Sequence, residues 1–424
     1  MRRAAMKRLL LIGTWLLLSA FGPAPRIFDP LAAPGAPPPS GPRTLLVFMD
    51  GTRNDPGSNT NVYKLFRAVV TDRATTGRVD TAAFYIEGVG TGADIAGAVA
   101  GVGFAQRVQQ AYAWLLRTWR PGDHIAIFGF SRGAYSGRAV AGMLEYGGLP
   151  AQPIADRDRS VAMASSLFFA IKERKASAAR RLQKAREVAA NKGYPVLTPH
   201  IPVTFMGLWD TVEALGDPFD GANLYDLPNT RYGDQLCNVE HAAHAISADD
   251  NRNRTYRPVL LTGGHLLADC PGGAGNGVID TRVDEVWFTG AHSDVGGSEA
   301  GSYRQRQLGG VTLNWMLSRA TALVLLPGAA PFPARPLDSS GDGYRSAPIG
   351  GRLARTLAIR QRMTDGLYRS GHVVIHQSVV DNLAARRRAP YELDWAGQFP
   401  ECFQSSGTTA LYRNGPGCRI DIAQ

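Results

Sequence analysis

The sequence predicts an α/β protein built on a doubly wound, mostly parallel sheet, with a helical insertion at about residues 150–199. Three observations carry this. Short, continuous apolar runs recur along the chain, each ends at a polar or glycine-rich cluster, and stretches with helical patterning separate them. Strands covered by helices on both faces read as unbroken apolar runs, which is the mark of a parallel sheet.

Ahead of the first strand, Arg2, Arg3, Lys7 and Arg8 precede an apolar run from Leu9 to Phe21 that closes on small or helix-breaking residues. Residues 1–22 therefore have the layout of a secretory signal peptide, with an uncleaved N-terminal anchor as the alternative. The run is shorter than the roughly 20 residues of a comfortable span, which favours export to the periplasm or beyond. Cleavage is expected after Ala20, Gly22 or Ala24, and no cysteine stands nearby to take a lipid. Residues 23–42, rich in Pro, Ala and Gly, read as an extended linker, and residues 43–424 as one folded domain.

Within that domain Thr44–Met49 is the first buried strand, ending at Asp50-Gly51-Thr52. Ala82–Ile86 repeats the plan before a Gly-rich turn, and Arg107–Trp119 is helical until Pro121-Gly122-Asp123 stops it. His124–Phe130, Val203–Leu208 and Glu285–Thr289 are further strands, while His241 and His244 fall on an expected helix. In such sheets ligands bind beyond the carboxyl ends of the strands, so Asp50, Ser131, Asp210 and His292 share one rim.

The chain's 424 residues, 44% hydrophobic and 19% charged, suit a folded enzyme and exclude a disordered or fibrous chain. The formal charge is +10, and removal of the four leader cations leaves +6. Much of that excess lies between Lys172 and Lys192, where Arg174, Lys175, Arg180, Arg181, Lys184 and Arg186 form either a solvated helix face or a surface that draws a membrane's anionic headgroups. Nucleic acid is not an expected partner, since no binding motif accompanies the charge. The insertion also carries Val161, Met163, Leu167, Phe168, Phe169 and Ile171, which read either as an acyl-binding cap wall or as a packed helix pair unrelated to substrate.

Cys237, Cys270, Cys402 and Cys418 allow two disulfides in three connectivities, with Cys402–Cys418 the shortest closure. None has metal-ligand spacing, no H-E-x-x-H is present, and Asp50–Asp55 misses the calcium-loop pattern. Gly88-x-Gly90-x-x-Ala93 matches a loose dinucleotide fingerprint but lacks the acid about twenty residues on that would hold a ribose. Neither a metal nor an organic cofactor is expected.

The chemistry is carried by Gly129-Phe130-Ser131-Arg132-Gly133, a G-x-S-x-G elbow between an apolar strand and a helix rich in small residues. The turn holds a serine hydroxyl up at the sheet edge. A serine is a poor nucleophile without a base, and the base needs an orienting carboxylate, in the chain order Ser, Asp, His for this α/β-hydrolase-like arrangement. Asp210 and His292 meet that order, with His376 the rival base and Asp294 and Asp50 the rival carboxylates, both also expected to line the site. The amide of Arg132 is one expected oxyanion donor, and an amide at Gly51 or Thr52 the other.

Phe48-Met49-Asp50-Gly51-Thr52, Asn59-Thr60-Asn61-Val62, Gly129-Phe130-Ser131-Arg132-Gly133-Ala134-Tyr135, Gly207-Leu208-Trp209-Asp210-Thr211-Val212 and Gly290-Ala291-His292-Ser293-Asp294-Val295-Gly296-Gly297 occur in this order. Together they resemble the signatures of the bacterial type VI secretion phospholipase-effector catalytic-domain family. The resemblance runs from about Leu45 to Leu317, with a weaker echo at Ile375-His376-Gln377-Ser378-Val379. It implies an α/β-hydrolase fold, a triad on Ser131, Asp210 and His292, and phospholipase activity of the A1 or A2 kind.

Two features depart from that family. Its effectors are usually delivered without a cleavable leader, and this chain shows no obvious large membrane-docking module. A resident envelope esterase or lipase therefore fits as well as a toxin, and a carboxylesterase or acyltransferase acting on non-lipid esters uses the same machinery. The expected partner is an ester or phospholipid substrate, with an inhibitor protein left open. The competing class is a non-enzymatic binding protein that keeps the fold, against which stands the complete set of serine, acid and base.

Overall fold

The computed structural model describes residues 27–28, 41–90, 102–173, 176–213, 236–248, 250, 258–261, 270, 281–298, 308–321, 323, 372–385, 399–406 and 409–424. The leader, Ala93 of the loose dinucleotide fingerprint, and Arg174 and Lys175 of the basic run lie outside them, as does most of the linker.

In chain order the first half comprises β1 (Ile27–Phe28), β2 (Thr44–Met49), α1 (Asn61–Thr76), β3 (Thr81–Ile86), α2 (Val102–Thr118), β4 (His124–Phe130), α3 (Arg132–Tyr146), β5 (Leu149–Pro150), α4 (Arg157–Ile171), α5 (Ala178–Asn191) and β6 (Leu197–Thr198). The second comprises β7 (Phe205–Trp209), β8 (His241–Ser247), β9 (Arg282–Phe288), the short α6 (His292–Val295), α7 (Leu308–Ala320), β10 (Val373–His376), α8 (Gln377–Ala384), β11 (Phe403–Ser406), β12 (Thr409–Tyr412) and β13 (Ile420–Ala423).

Nine described strands form one sheet in the order β1-β3-β2-β4-β7-β8-β9-β10-β13. Neighbours are parallel from β3 to β13, and only β1, inside the stretch read as linker, pairs antiparallel. Strands β2 and β3 are buried at every residue, as the unbroken apolar runs require. Alternation through the pleat then sends Leu45, Val47 and Met49 to a core shared with α2, α3 and α4, and Leu46 and Phe48 to the opposite core shared with α1 and α7. This is the doubly wound α/β arrangement predicted.

The helical insertion is present, but its placement favours the packed helix pair over the cap. Helices α4 and α5 pack on each other and against α2 and α3. Strands β5 and β6, which open and close the insertion, pair with each other just beyond the carboxyl end of α3. Ser131 stands at the amino end of that 15-residue helix, about 20 Å away at 1.5 Å per residue.

The basic run is not one solvated face either. Arg181 is 1% exposed, donates to the carbonyls of Ile171 and Glu173, and lies over the Tyr146 ring. Arg180 and Lys184 both pair with Glu173, holding its carboxyl well below the ordinary range through those hydrogen bonds. Two disulfides form, Cys402–Cys418 as expected and Cys237–Cys270.

Candidate active site

The carboxyl ends of β2, β4, β7 and the loop after β9 meet at one rim. The turn from β4 to α3 is tight enough to fix the residues on either side of Ser131. A side chain at Gly129 would fall 2.5 Å from the Ala134 Cα, and one at Gly133 would fall 2.2 Å from the Met49 carbonyl oxygen. Ser131 itself has φ 57° and ψ −126°, a left-handed conformation that costs an L-residue on the order of 1–3 kcal/mol and persists where the surroundings dictate it. Here they do: the Ser131 amide donates to Trp209 on β7, and its carbonyl accepts from Tyr135 and Val212.

The Ser131 hydroxyl lies 2.8 Å from His292 Nε2, and His292 Nδ1 lies 2.6 Å from Asp210 Oδ2. All three residues are buried, at 5%, 3% and 0% exposure. The carboxylate at Nδ1 selects the tautomer with its proton there, leaving Nε2 to accept from the serine. Asp210 also accepts from the Ser247 amide at 3.0 Å and the Ser247 hydroxyl at 2.9 Å. His292 starts the short α6, lies tilted against Phe130 at 4.7 Å between ring centres, and donates its own amide to Asp250 at 3.1 Å.

The rivals have other occupations. Asp294 accepts from the Ala291 amide at 2.9 Å and so caps the turn that carries His292. His376 caps α8 by accepting from Ser378, stacks on Phe288, and is pushed down to about 4, mainly by burial. His241 and His244 lie on strand β8 rather than a helix, each facing a carboxylate of β9, Asp284 and Glu285 respectively.

Asp50 is 2% exposed and accepts from the Gly51 amide at 2.8 Å, the Thr60 hydroxyl at 2.7 Å and the Tyr85 hydroxyl at 2.8 Å. Burial raises it to about 6 against those hydrogen bonds. The Gly51 amide, one of the two expected oxyanion donors in this loop, is thus engaged by the Asp50 carboxylate. The Thr52 amide has no hydrogen-bond partner among the described residues. The loop touches the elbow, since a side chain at Gly51 would come 3.1 Å from Ser131 Cβ.

The Asn59-Thr60-Asn61 motif also finds its use. Thr60 caps α1 through the Tyr63 amide. The Asn61 side-chain amide donates to Val295, Gly309 and Thr312, and its backbone amide donates to Gly296. It thereby ties the loop that carries His292 to α1. No group of His, Cys, Asp and Glu that could hold a metal occurs among the described residues, and no described helix is long and apolar enough to cross a membrane.

Sequence reasoning missed the roles of Ser247, Asp250 and Glu285 and set His244 on a helix. Each acts through a fold-level neighbour more than 30 residues away and belongs to no local motif.

An α/β-hydrolase-like fold is the class that this sheet and its strand–turn–helix elbow define. The chain belongs to the family described as T6SS, Phospholipase effector Tle1-like, catalytic domain, which it matches over residues 43–319. An uncharacterized protein of Saccharomyces cerevisiae, YEL023C, is 25% identical over 232 residues, half of this chain and 32% of that protein's length. Among solved structures, an uncharacterized protein from Pseudomonas aeruginosa aligns at 17% identity and a TM-score of 0.41, over 76% of this chain and 53% of its own. The Tle1 effector bound to the VgrG spike from the type 6 secretion system aligns at 17% identity and a TM-score of 0.29, over 62% and 52%. The chain thus spans about a third of the yeast relative and about half of each solved chain.

Proposed function

We propose that this protein is an exported serine hydrolase that cleaves carboxylic esters of lipids or phospholipids in the cell envelope, through Ser131, His292 and Asp210. The observation that carries the reading is the continuous hydrogen-bonded line from the Ser131 hydroxyl through both ring nitrogens of His292 to Asp210. His292 Nε2 takes the serine proton as Oγ attacks the ester carbonyl, and Asp210 holds the resulting imidazolium. The amide of Arg132, at the positive end of α3, and the amide of Thr52 stabilise the oxyanion. Collapse expels the alcohol, protonated by His292, and leaves an acyl-Ser131. Water, activated by the same imidazole, then releases the carboxylic acid and restores the serine.

The lipid part of this reading draws on family membership, and the export part on the leader. The test is hydrolysis of short p-nitrophenyl esters and of phospholipid vesicles by the wild-type chain and by Ser131→Ala. Activity on vesicles that disappears in Ser131→Ala is the expected result. Cleavage of short esters alone reduces the protein to an esterase without a membrane target. No cleavage of either substrate, with no fluorophosphonate labelling of Ser131, replaces the enzyme with a binding protein.

A further inference from the structure

One strand away from Asp210 and His292 lies a second carboxylate–imidazole pair that the reaction does not use. His244 on β8 stands directly opposite Glu285 on β9 in the sheet register. Their side chains are 0% and 1% exposed, with His244 Nδ1 2.8 Å from Glu285 Oε2. The other ring nitrogen, Nε2, receives the backbone amide of Thr211 at 3.1 Å. A backbone amide can only donate, so Nε2 is unprotonated and the ring proton sits on Nδ1, facing Glu285. Glu285 Oε2 accepts a second N–H, that of Leu261, at 2.6 Å.

Thr211 is the residue after Asp210, and Asp210 has a φ of 42°. Aspartate tolerates such a conformation better than most non-glycine residues, and bonds on both sides hold it there. Strand β8 supplies those bonds. The Asp210 amide donates to the Ala245 carbonyl at 2.8 Å, the Asp210 carboxylate accepts from Ser247, and the Thr211 amide ends on His244. The Thr211 carbonyl in turn accepts from Val259 at 2.8 Å, in the segment 258–261 whose other end is held by Glu285. The His244–Glu285 pair therefore fixes the acid loop directly and also through its neighbouring strap.

We propose that His244 and Glu285 are positioning residues that hold Asp210 in register with His292 by anchoring the Thr211 amide. The inference rests on the reading of Ser131, His292 and Asp210 as the reacting set. Neither His244 nor Glu285 touches substrate. Their effect is on how well the carboxylate meets the base, and hence on the chemical step rather than on binding.

The test uses the full chain and two substitutions. In His244→Asn, the side-chain amide replaces Nδ1 and keeps Glu285 partnered, but nothing reaches the Thr211 amide. In His244→Gln, the longer side chain carries an acceptor to Thr211 and a donor to Glu285. The expected result is a folded His244→Asn protein with kcat on a p-nitrophenyl ester down by about 10- to 100-fold and KM within about 2-fold, the pattern of a catalytic group displaced by about 1 Å. His244→Gln is expected to recover kcat to within about 3-fold of wild type, because the anchor is restored.

A folded His244→Asn with wild-type kcat overturns the proposal, as does a loss carried by KM alone. Should His244→Asn fail to fold, His244→Gln decides by itself: a folded Gln variant with kcat down more than about 10-fold refutes the anchor, since its acceptor is intact. Ser131→Ala, measured alongside, keeps the two claims apart. If that variant stays active, the hydrolase reading falls; if it is dead while His244→Asn is fully active, only the positioning role does.

Discussion

At the scale of single residues, the site separates carboxylates that look alike in sequence. Asp210 faces His292, Asp294 caps the short helix that His292 starts, and Asp50 receives three hydroxyl or amide donors. Replacing Asp210 by Asn leaves the shape and removes the tautomer control, so kcat should fall on the order of 10⁴-fold. A loss below 10-fold in steady-state assays would deny Asp210 that task.

Asp50 makes a different forecast, about stability. Its folded value of about 6 stands above the ordinary 3.8, so between those values the folded state holds a proton that the unfolded chain has released. The stabilisation is whole below about pH 4 and is lost as pH rises through about 6, by about 3 kcal/mol. Urea midpoints across this range should show that slope in wild type and lose it in Asp50→Asn. A slope unchanged in the variant would assign it to another group.

At the scale of elements, backbone contact at the elbow is the controlling fact. Gly133→Ala puts a methyl group against two main-chain carbonyls, those of Met49 and Asp50, and neither can swing aside. Thermal melting and ester hydrolysis should both fail in this variant. Gly77→Ala, at the end of α1 with a φ of 71° and nothing within 4 Å, is the control. It should cost about 1 kcal/mol and leave turnover alone. Equal behaviour of the two variants would show that elbow packing is not what the glycine supplies.

Legibility in the sequence follows the same divide. Strands β2 and β4 were readable to the residue because an apolar run is bounded by polar clusters on both sides, and the elbow because its glycines and serine are contiguous. Strand β8, with the sequence His-Ala-Ala-His-Ala-Ile-Ser, reads as helix from its sequence. Its alanines give no strand signal, and its histidines become comfortable only against carboxylates of a strand that follows more than 30 residues later. The engagement of the Gly51 amide by Asp50 is illegible for a related reason. It depends on where the Asp50 side chain turns, which no motif records.

At the scale of the whole molecule, the disulfides distribute stability unevenly. Cys402–Cys418 closes a 16-residue separation within the carboxyl-terminal part, beside the core formed by β10, α8, β11, β12 and β13. A loop of that length is worth about 3 kcal/mol against the unfolded chain. Cys402→Ser should therefore lower the melting temperature under oxidising conditions and make it indifferent to reductant at this bond. A melting point equal to wild type in the absence of reductant would show that the bond does not constrain the unfolded chain.

The antiparallel pairing of Ile27 and Phe28 with Ile86 and Tyr85 bears on where this protein can safely begin. A chain cut after Ala20, Gly22 or Ala24, as the proposed export would require, keeps these two residues. The first long strand at the sheet margin, β3, then keeps a cover over part of its outer hydrogen-bonding groups. A version trimmed to residue 43 loses that cover and presents bare strand backbone to its neighbours in solution, an open template for intermolecular pairing. Colloidal behaviour thus hangs on one short segment, and light scattering of chains starting at residues 25 and 43 should find the shorter one the stickier.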